Sequence, residues 1–294
     1  MSEDTPPSAT VGPFELFSID AGSFRLDGGA MFGVVPKTLW SRVIGSDEKN
    51  RIPMTMRCLL IKSSRTGKIY LADTGSGTKF NEKMTSIYAL DYSNGDLLRS
   101  LAACGVTPGE VTDIIFTHLH FDHCGGATRY DENGELQDQF PNAAYHVTEK
   151  QLEAALDPNE REKASFIKDN VDPIAGSDRL HEISDRHVYE EGLATIPSYG
   201  HTMGQQLPVI EADGKTVVFA ADLIPTHVHL PMPWIMGYDM MPLQTLKEKE
   251  AFLREAVDNG WYLFLEHDAE HELITVKEED GKYVMDKSLT LDDL

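Results

Sequence analysis

The sequence predicts one mixed α/β (α+β) domain, with two β-sheets in the core and helices outside. Three observations carry that expectation. Short apolar runs with the composition of strands recur between turn residues. Capped, amphipathic segments join them, so that strands come first and strands and helices then mix. No repeat, low-complexity run or linker divides the 294 residues, a length sufficient for one large core.

The elements follow in order. Residues 1–13 are polar and Pro-containing, with no apolar segment of the kind a signal peptide needs, and are expected to form a disordered lead to a single domain over 14–294. Residues 56–62 and 68–72 are strand-like runs joined by Ser63-Ser64-Arg65-Thr66-Gly67, a hairpin signal. A Gly-rich turn, 73–77, ends the second run. Helices are expected over 79–90 and 96–104, the latter stopped by Gly105. The apolar run 111–116 reads as a buried strand. A polar excursion, 127–139, precedes a short strand near 143–147. Thr148 then caps a helix, with Gln151 completing a capping box, and 160–170 also reads as helical. Further strands fall at 193–197, 216–220 and 261–266. Between the last two, Thr245 and Glu248 form a second capping box, opening a helix with the stripe Leu246, Phe252, Leu253, Ala256 and Val257. Gly260 ends it.

Composition narrows the function. A formal net charge of −22 repels phosphate backbones and anionic lipid, which argues against nucleic acid and membrane surfaces as partners. No apolar run is long enough to span a bilayer. The three cysteines, Cys58, Cys104 and Cys124, are odd in number and widely spaced, as in a reducing compartment; a cytoplasmic location is the expectation. Cys124 sits beside the ligand-rich stretch described next and reads as a small apolar filler rather than a ligand.

His118-Leu119-His120-Phe121-Asp122-His123 places four metal-ligand side chains in six positions. The strand 111–116 leads into it and Gly125-Gly126 follows, so it reads as a loop at a strand's carboxyl end. Imidazole and carboxylate without thiolate suit zinc, iron or manganese. Neighbouring side chains cannot all converge on one ion. Two ions can share them, with His118 and His120 turned one way and Asp122 and His123 the other. Further ligand types lie directly after the later strands: Gly200-His201-Thr202, Ala221-Asp222 and Glu266-His267-Asp268.

This set resembles the metallo-β-lactamase fold superfamily in its dinuclear hydrolase branch, over nearly the whole chain from Asp73 to His267. Gly200-His201-Thr202-Met203-Gly204 is similar to the family's GHTxG, with Met203 where Pro is usual. The resemblance implies a four-layer αββα sandwich with the site at one edge of the sheets. It implies His118, His120 and His201 on a first metal, Asp122, His123 and His267 on a second, and Asp222 bridging both. It makes Asp73 an orienter of a ligand imidazole rather than a ligand; on local sequence alone, Asp73 equally reads as the cap of the Gly75 turn. Two divalent ions, zinc first with iron or manganese as alternatives, would share a water and present it as hydroxide, held by Asp122. The reaction class implied is hydrolysis of a small-molecule ester, lactone, thioester, amide or phosphoester; the alternative is a metal-retaining ligand-binding protein with little turnover.

Within the superfamily the acyl-homoserine-lactonase-like group is the nearest resemblance. One departure stands out, since those lactonases commonly carry Tyr three residues after the bridging Asp and this chain has Pro225. Tyr199 and Tyr238 are the candidates for the missing hydroxyl. A glyoxalase-II-like thioesterase would need a basic C-terminal segment, whereas 270–294 is mostly acidic. A flavodiiron role would need a carboxylate at His120.

Two loop-like segments are unusually apolar, 28–36 with Phe32 and 230–243 with Trp234, Met236 and Tyr238. Two readings stand: an adaptable wall for the substrate pocket, or packing over the core or against a second copy in a homodimer. His146, His181, His187 and His271 read as surface or packing residues. His227 and His229 follow Asp222 closely, and each reads either as a proton shuttle facing the substrate, with His227 counted among the pocket residues, or as a satisfied loop histidine.

Overall fold

The computed structural model describes residues 6–294. The strands, in chain order, are β1 Ser8–Val11, β2 Phe14–Asp27, β3 Arg51–Ser63, β4 Ile69–Ala72, β5 Asp113–Ile115, β6 Thr128–Tyr130, β7 Leu136–Asp138, β8 Ala144–Thr148, β9 Leu180–Ile183, β10 Val188–Glu190, β11 Leu193–Ser198, β12 Gln205–Ala212, β13 Lys215–Phe219, β14 Tyr262–Phe264, β15 Leu273–Glu279 and β16 Lys282–Leu289. The helices are α1 Gly28–Phe32, α2 Lys37–Trp40, α3 Glu82–Tyr88, α4 Leu97–Ala103, α5 Phe121–Cys124, α6 Glu149–Leu156, α7 Lys168–Ala175 and α8 Pro242–Asn259. Two seven-stranded sheets result, in the orders β1-β2-β3-β4-β5-β8-β9 and β10-β11-β12-β13-β14-β15-β16.

Strand alternation builds the layers. On β3, Met56, Cys58 and Leu60 point into one apolar cluster, with Leu97 and Leu101 of α4 and Leu152 of α6. The intervening Leu59 and Ile61 point into the other, against Leu207, Ile210, Val218 and Phe264 of the second sheet. Phe252, Leu253 and Ala256 of α8 join that cluster, so the layering is helices, sheet, sheet, helix. Each such fully buried side chain contributes roughly 1.5–3 kcal/mol relative to exposure.

Of the four parallel pairs, β4 with β5 and β13 with β14 matter most. Parallel neighbours end on the same side, so the loops that follow all four strands meet at one edge. The chain is close-packed there. A Cβ on Gly126 would lie 2.1 Å from the Thr74 carbonyl oxygen, so only glycine lets the loop after β5 lie on the loop after β4.

Several expectations need correction. The lead 1–13 is not wholly unstructured: Ser8–Val11 pairs antiparallel with β2, and Val11 is fully buried. An edge strand needs hydrogen bonds on one side only, which tolerates its polar composition. Residues 1–5 of that lead lie outside the described residues. The long strand β2 was missed because a bulge between Asp20 and Ser23 shifts the phase of its alternation. The helix expected over 160–170 begins later, as Lys168–Ala175. Ahead of it the Asn159 side chain accepts from the amides of Arg161 and Glu162 and holds turns instead. Pro173 sits inside α7, and the Asp169 carbonyl it cannot serve accepts from the Thr128 hydroxyl at 3.0 Å. Thr148 caps α6 as expected, accepting from the Gln151 amide. Thr245 does not cap α8, which opens at Pro242.

Candidate metal centre

All seven side chains singled out as ligands are buried and meet at the strand-end edge. His118, His120, His201 and Asp222 offer ligand atoms within 4.8 Å of one another, as do Asp122, His123 and His267. Asp222 lies between the two groups. Its Oδ2 is 3.0 Å from His201 Nε2 and 3.7 Å from His118 Nε2, while its Oδ1 is 3.1 Å from His267 Nε2.

Each imidazole has an outward partner that fixes its tautomer. His123 Nδ1 donates to Asp73 at 3.0 Å, His201 Nδ1 to Asp239 at 3.0 Å, and His267 Nδ1 to the Thr55 carbonyl at 2.8 Å. His120 Nε2 donates to Glu162 at 3.1 Å, and His118 Nδ1 meets the Thr117 hydroxyl at 3.0 Å. A neutral imidazole has one N–H, so in the neutral form that a cation requires each ring turns a lone-pair nitrogen inward. Two of them, His120 Nδ1 and His201 Nε2, stand 3.2 Å apart; so do His123 Nε2 and His267 Nε2. His118 Nε2 is buried with no partner at all. Lone pairs facing each other at such distances repel, and cations between them turn repulsion into bonds. The donor set therefore fits two divalent ions of the zinc, iron or manganese class.

Titration tells the same story, with protons standing where cations would. Burial pushes the His118 and His120 imidazoles below their usual range. Burial acts on His201 and His267 too, but the Asp222 carboxylate outweighs it and lifts them to about 10 and about 9. Asp222 is held well below the carboxylate range, its burial outweighed by His201, His267 and His123. Glu266 is driven up to about 8, first by burial. It lies 3.1 Å from His123 Nδ1, on the same nitrogen that serves Asp73.

The positions of these side chains have local causes. Asp73 adopts a left-handed backbone at φ 57°, and its carboxylate also accepts from the Thr117 amide at 2.7 Å, so it orients His123 and does not cap the Gly75 turn. Glu248 of α8 accepts from the amides of Tyr199 and Gly200 and from the Ser198 hydroxyl, which fixes the loop carrying His201. Gly200 is required by proximity rather than by a tight turn, since a Cβ there would lie 2.3 Å from the Thr245 nitrogen. Thr55 of β3 pins His267 from both sides, also donating its amide to the His267 carbonyl at 3.2 Å. Cys124 is a buried thiol pushed up to about 12 by burial, with its S–H directed at the Leu119 carbonyl, which rules it out as a ready ligand.

A cleft of about 140 Å³ opens over the centre. Met31, Met54, Phe121, Met236 and Met240 give it an apolar wall, Tyr88 and Tyr238 add hydroxyls, and Arg161 stands at its rim. Of the expected pocket residues, Met236 and Tyr238 line the cleft; Phe32, Trp234 and His227 do not. Phe32 is fully buried, stacked on His229 at 4.8 Å and Trp40 at 5.2 Å, with Trp234 edge-on. His227 Nδ1 is bound to Asp268 at 2.6 Å. His229 is a satisfied loop histidine, donating from Nε2 to the Met31 carbonyl and accepting from Thr226. Tyr199 stacks under Lys150 on the surface, away from the centre. Sequence reasoning missed Glu162, Asp239, Tyr88 and Lys249, and named Glu266 beside His267 without giving it a role. Lys249 is buried, and its ammonium donates to the Pro231 and Trp234 carbonyls, clamping the apolar segment.

A family model described as the metallo-beta-lactamase superfamily matches residues 57–267. The chain belongs to that superfamily. It is similar to the N-acyl homoserine lactonase AttM of Rhizobium johnstonii, at 27% identity over 171 residues, 56% of this chain and 61% of the relative. The match thus spans less than two thirds of that relative's length. Among solved structures, a "probable metal-dependent hydrolase" from Staphylococcus aureus superposes with a TM-score of 0.83 at 27% identity, covering 95% of this chain and 99% of the other. AidC, a dizinc quorum-quenching lactonase solved with a product, superposes at 0.77 with 20% identity over 98% and 99% of the two chains, a likeness of fold. This superfamily member has, among its described residues, no helix long and apolar enough to cross a membrane.

Proposed function

We propose that the protein is a dinuclear metal-dependent hydrolase of small, partly apolar lactones or esters. The observation that supports the reading is the inward convergence of five imidazole nitrogens and two carboxylates, with His118 Nε2 left without a hydrogen-bond partner. His118, His120 and His201 would hold one ion and Asp122, His123 and His267 the other, with Asp222 shared. Bound there, zinc, or iron or manganese in its place, lowers the pKa of water towards neutrality and polarises an acyl oxygen.

The chain's own groups do the rest. Asp122 lines the cleft and can hold a water by hydrogen bond or pass a proton to a leaving alkoxide. Burial keeps the Tyr88 and Tyr238 phenols above their ordinary range, so both stay protonated and can donate to a substrate oxygen. Tyr238 thereby stands in for the hydroxyl that Pro225 lacks. The methionine wall suits an acyl or other apolar arm, and polarizable thioethers adapt to its shape. AttM and AidC, both named as lactonases, make N-acyl homoserine lactones the first substrates to try. Turnover should appear on a panel of such lactones and aryl esters, vanish with chelator and return with Zn²⁺, Mn²⁺ or Fe²⁺. Inactivity across the panel with both ions bound overturns the proposal.

A further inference from the structure

We infer that His227, Glu270 and His271 form a third cation site, separate from the seven-residue centre. Their ligand atoms lie within 4.8 Å of one another, and the two imidazoles meet edge to face with centroids 4.3 Å apart. The buried Asp268 carboxylate builds the site. One of its oxygens accepts from the amides of Glu270 at 2.9 Å and His271 at 2.8 Å. The other accepts from the His227 amide at 2.7 Å and from His227 Nδ1 at 2.6 Å. A single carboxylate therefore fixes the backbone of all three residues and the tautomer of one imidazole, the arrangement that supports metal-bound histidine. His271 Nδ1 is engaged by the Ser288 hydroxyl at 2.7 Å. Both rings are left with Nε2 free.

Two imidazole nitrogens and one carboxylate oxygen select a borderline divalent ion, Zn²⁺, Cu²⁺ or Ni²⁺, over the oxygen-seeking Mg²⁺ and Ca²⁺. Three protein ligands leave a coordination position for water. The imidazoles are half-buried and Glu270 is exposed, so an ion reaches them from solvent at small desolvation cost. The strongly acidic chain raises the local cation concentration. Occupied, the site ties the loop after Asp222 to the connection after His267, and so braces both against each other.

Metal counting on the folded holoprotein tests it. Wild type, His271→Ala and Glu270→Gln are dialysed against rising free Zn²⁺, and bound zinc per chain is measured. Wild type should take up one further equivalent that both variants lack. Cu²⁺ added to the zinc-loaded wild type should show nitrogen coupling in its electron paramagnetic resonance spectrum, lost in His271→Ala. Equal equivalents in wild type and folded variants, or a further equivalent that survives both substitutions, overturns the site. The result is separable from the centre's own chemistry: a difference of one equivalent supports the third site whatever total the centre contributes, and that total alone bears on dinuclear binding.

Discussion

Removing the Asp239 carboxylate isolates the contribution of an orienting group to the centre. Asp239 Oδ1 accepts from His201 Nδ1 at 3.0 Å, and both residues are almost wholly buried. The surroundings cannot easily close in, because the Met240 and Met241 amides donate to the His201 and Gly200 carbonyls at 3.0 and 2.8 Å and hold the segment in place. Asp239→Ala therefore leaves a buried N–H without an acceptor, a cost of roughly 1–3 kcal/mol. At about 1.4 kcal/mol per factor of ten, this corresponds to a roughly 5–150-fold loss of metal affinity, which brackets the roughly 10–100-fold typical for such partners. Asp239→Asn keeps an acceptor oxygen and loses only its charge, so it should fall at the small end. Competition against a chromophoric chelator measures the affinity of the ion bound by His201. Wild-type affinity in a folded Asp239→Ala protein would refute the orienting role and with it the assignment of His201 as a ligand through Nε2.

Stripping the metals should also lower thermal stability, by about 3–4 kcal/mol per site at ion concentrations of 100 to 1,000 times Kd, readable as a chelator-dependent drop in Tm. Tyr238→Phe should leave metal content unchanged and cut kcat on the order of 10²-fold if its hydroxyl serves the reacting oxygen; an unchanged kcat removes it from that role. Lys249→Met should leave the Pro231 and Trp234 carbonyls unpaired, destabilise the fold by roughly 1–3 kcal/mol in urea melts and raise KM more than it lowers kcat. His229 gives an acid dependence of defined sign. Burial lowers its folded pKa from 6.5 to about 4, so between those values the unfolded chain binds a proton that the folded one does not. Its contribution is complete above pH 6.5 and is lost as pH falls through 4, up to about 3 kcal/mol. Urea melts at pH 7.5 and pH 5 should show a smaller acid loss in His229→Gln than in wild type, and parallel losses would sink the assignment.

The candidate ligands were legible in the sequence because each group of them follows an apolar strand, and a strand's end is a local signal. Their orienters were not. Asp239 lies 38 residues from His201, Glu162 42 from His120 and Thr55 212 from His267, distances that no periodicity encodes. The strands were legible where alternation was clean, as on β3, and lost where the β2 bulge shifted its phase. The cleft wall was half legible. Irregular segments have neither the 2-residue nor the 3.6-residue period that tells which face a side chain takes. Residues 28–36 read as loop-like, yet 28–32 form the short helix α1, on which Met31 lines the cleft while its neighbour Phe32 turns away to stack on His229.

The segment 230–243 shows what composition alone conceals. Its Met236 and Met240 face the cleft, its Asp239 accepts from His201, and its Pro231 and Trp234 carbonyls are held from behind by Lys249. On the proposed function, one stretch of chain would carry both substrate wall and metal support. A substitution that re-shapes the wall, such as Met236→Ala or Met240→Ala, is then not confined to substrate fit. Met240 donates its amide to the His201 carbonyl, whereas the Met236 carbonyl accepts from the Asp239 amide. Loosening either neighbour shifts the partner of a ligand, so KM and metal affinity should change together in both variants. A wall mutant with altered substrate preference and wild-type metal affinity would show that the two duties are mechanically separate after all.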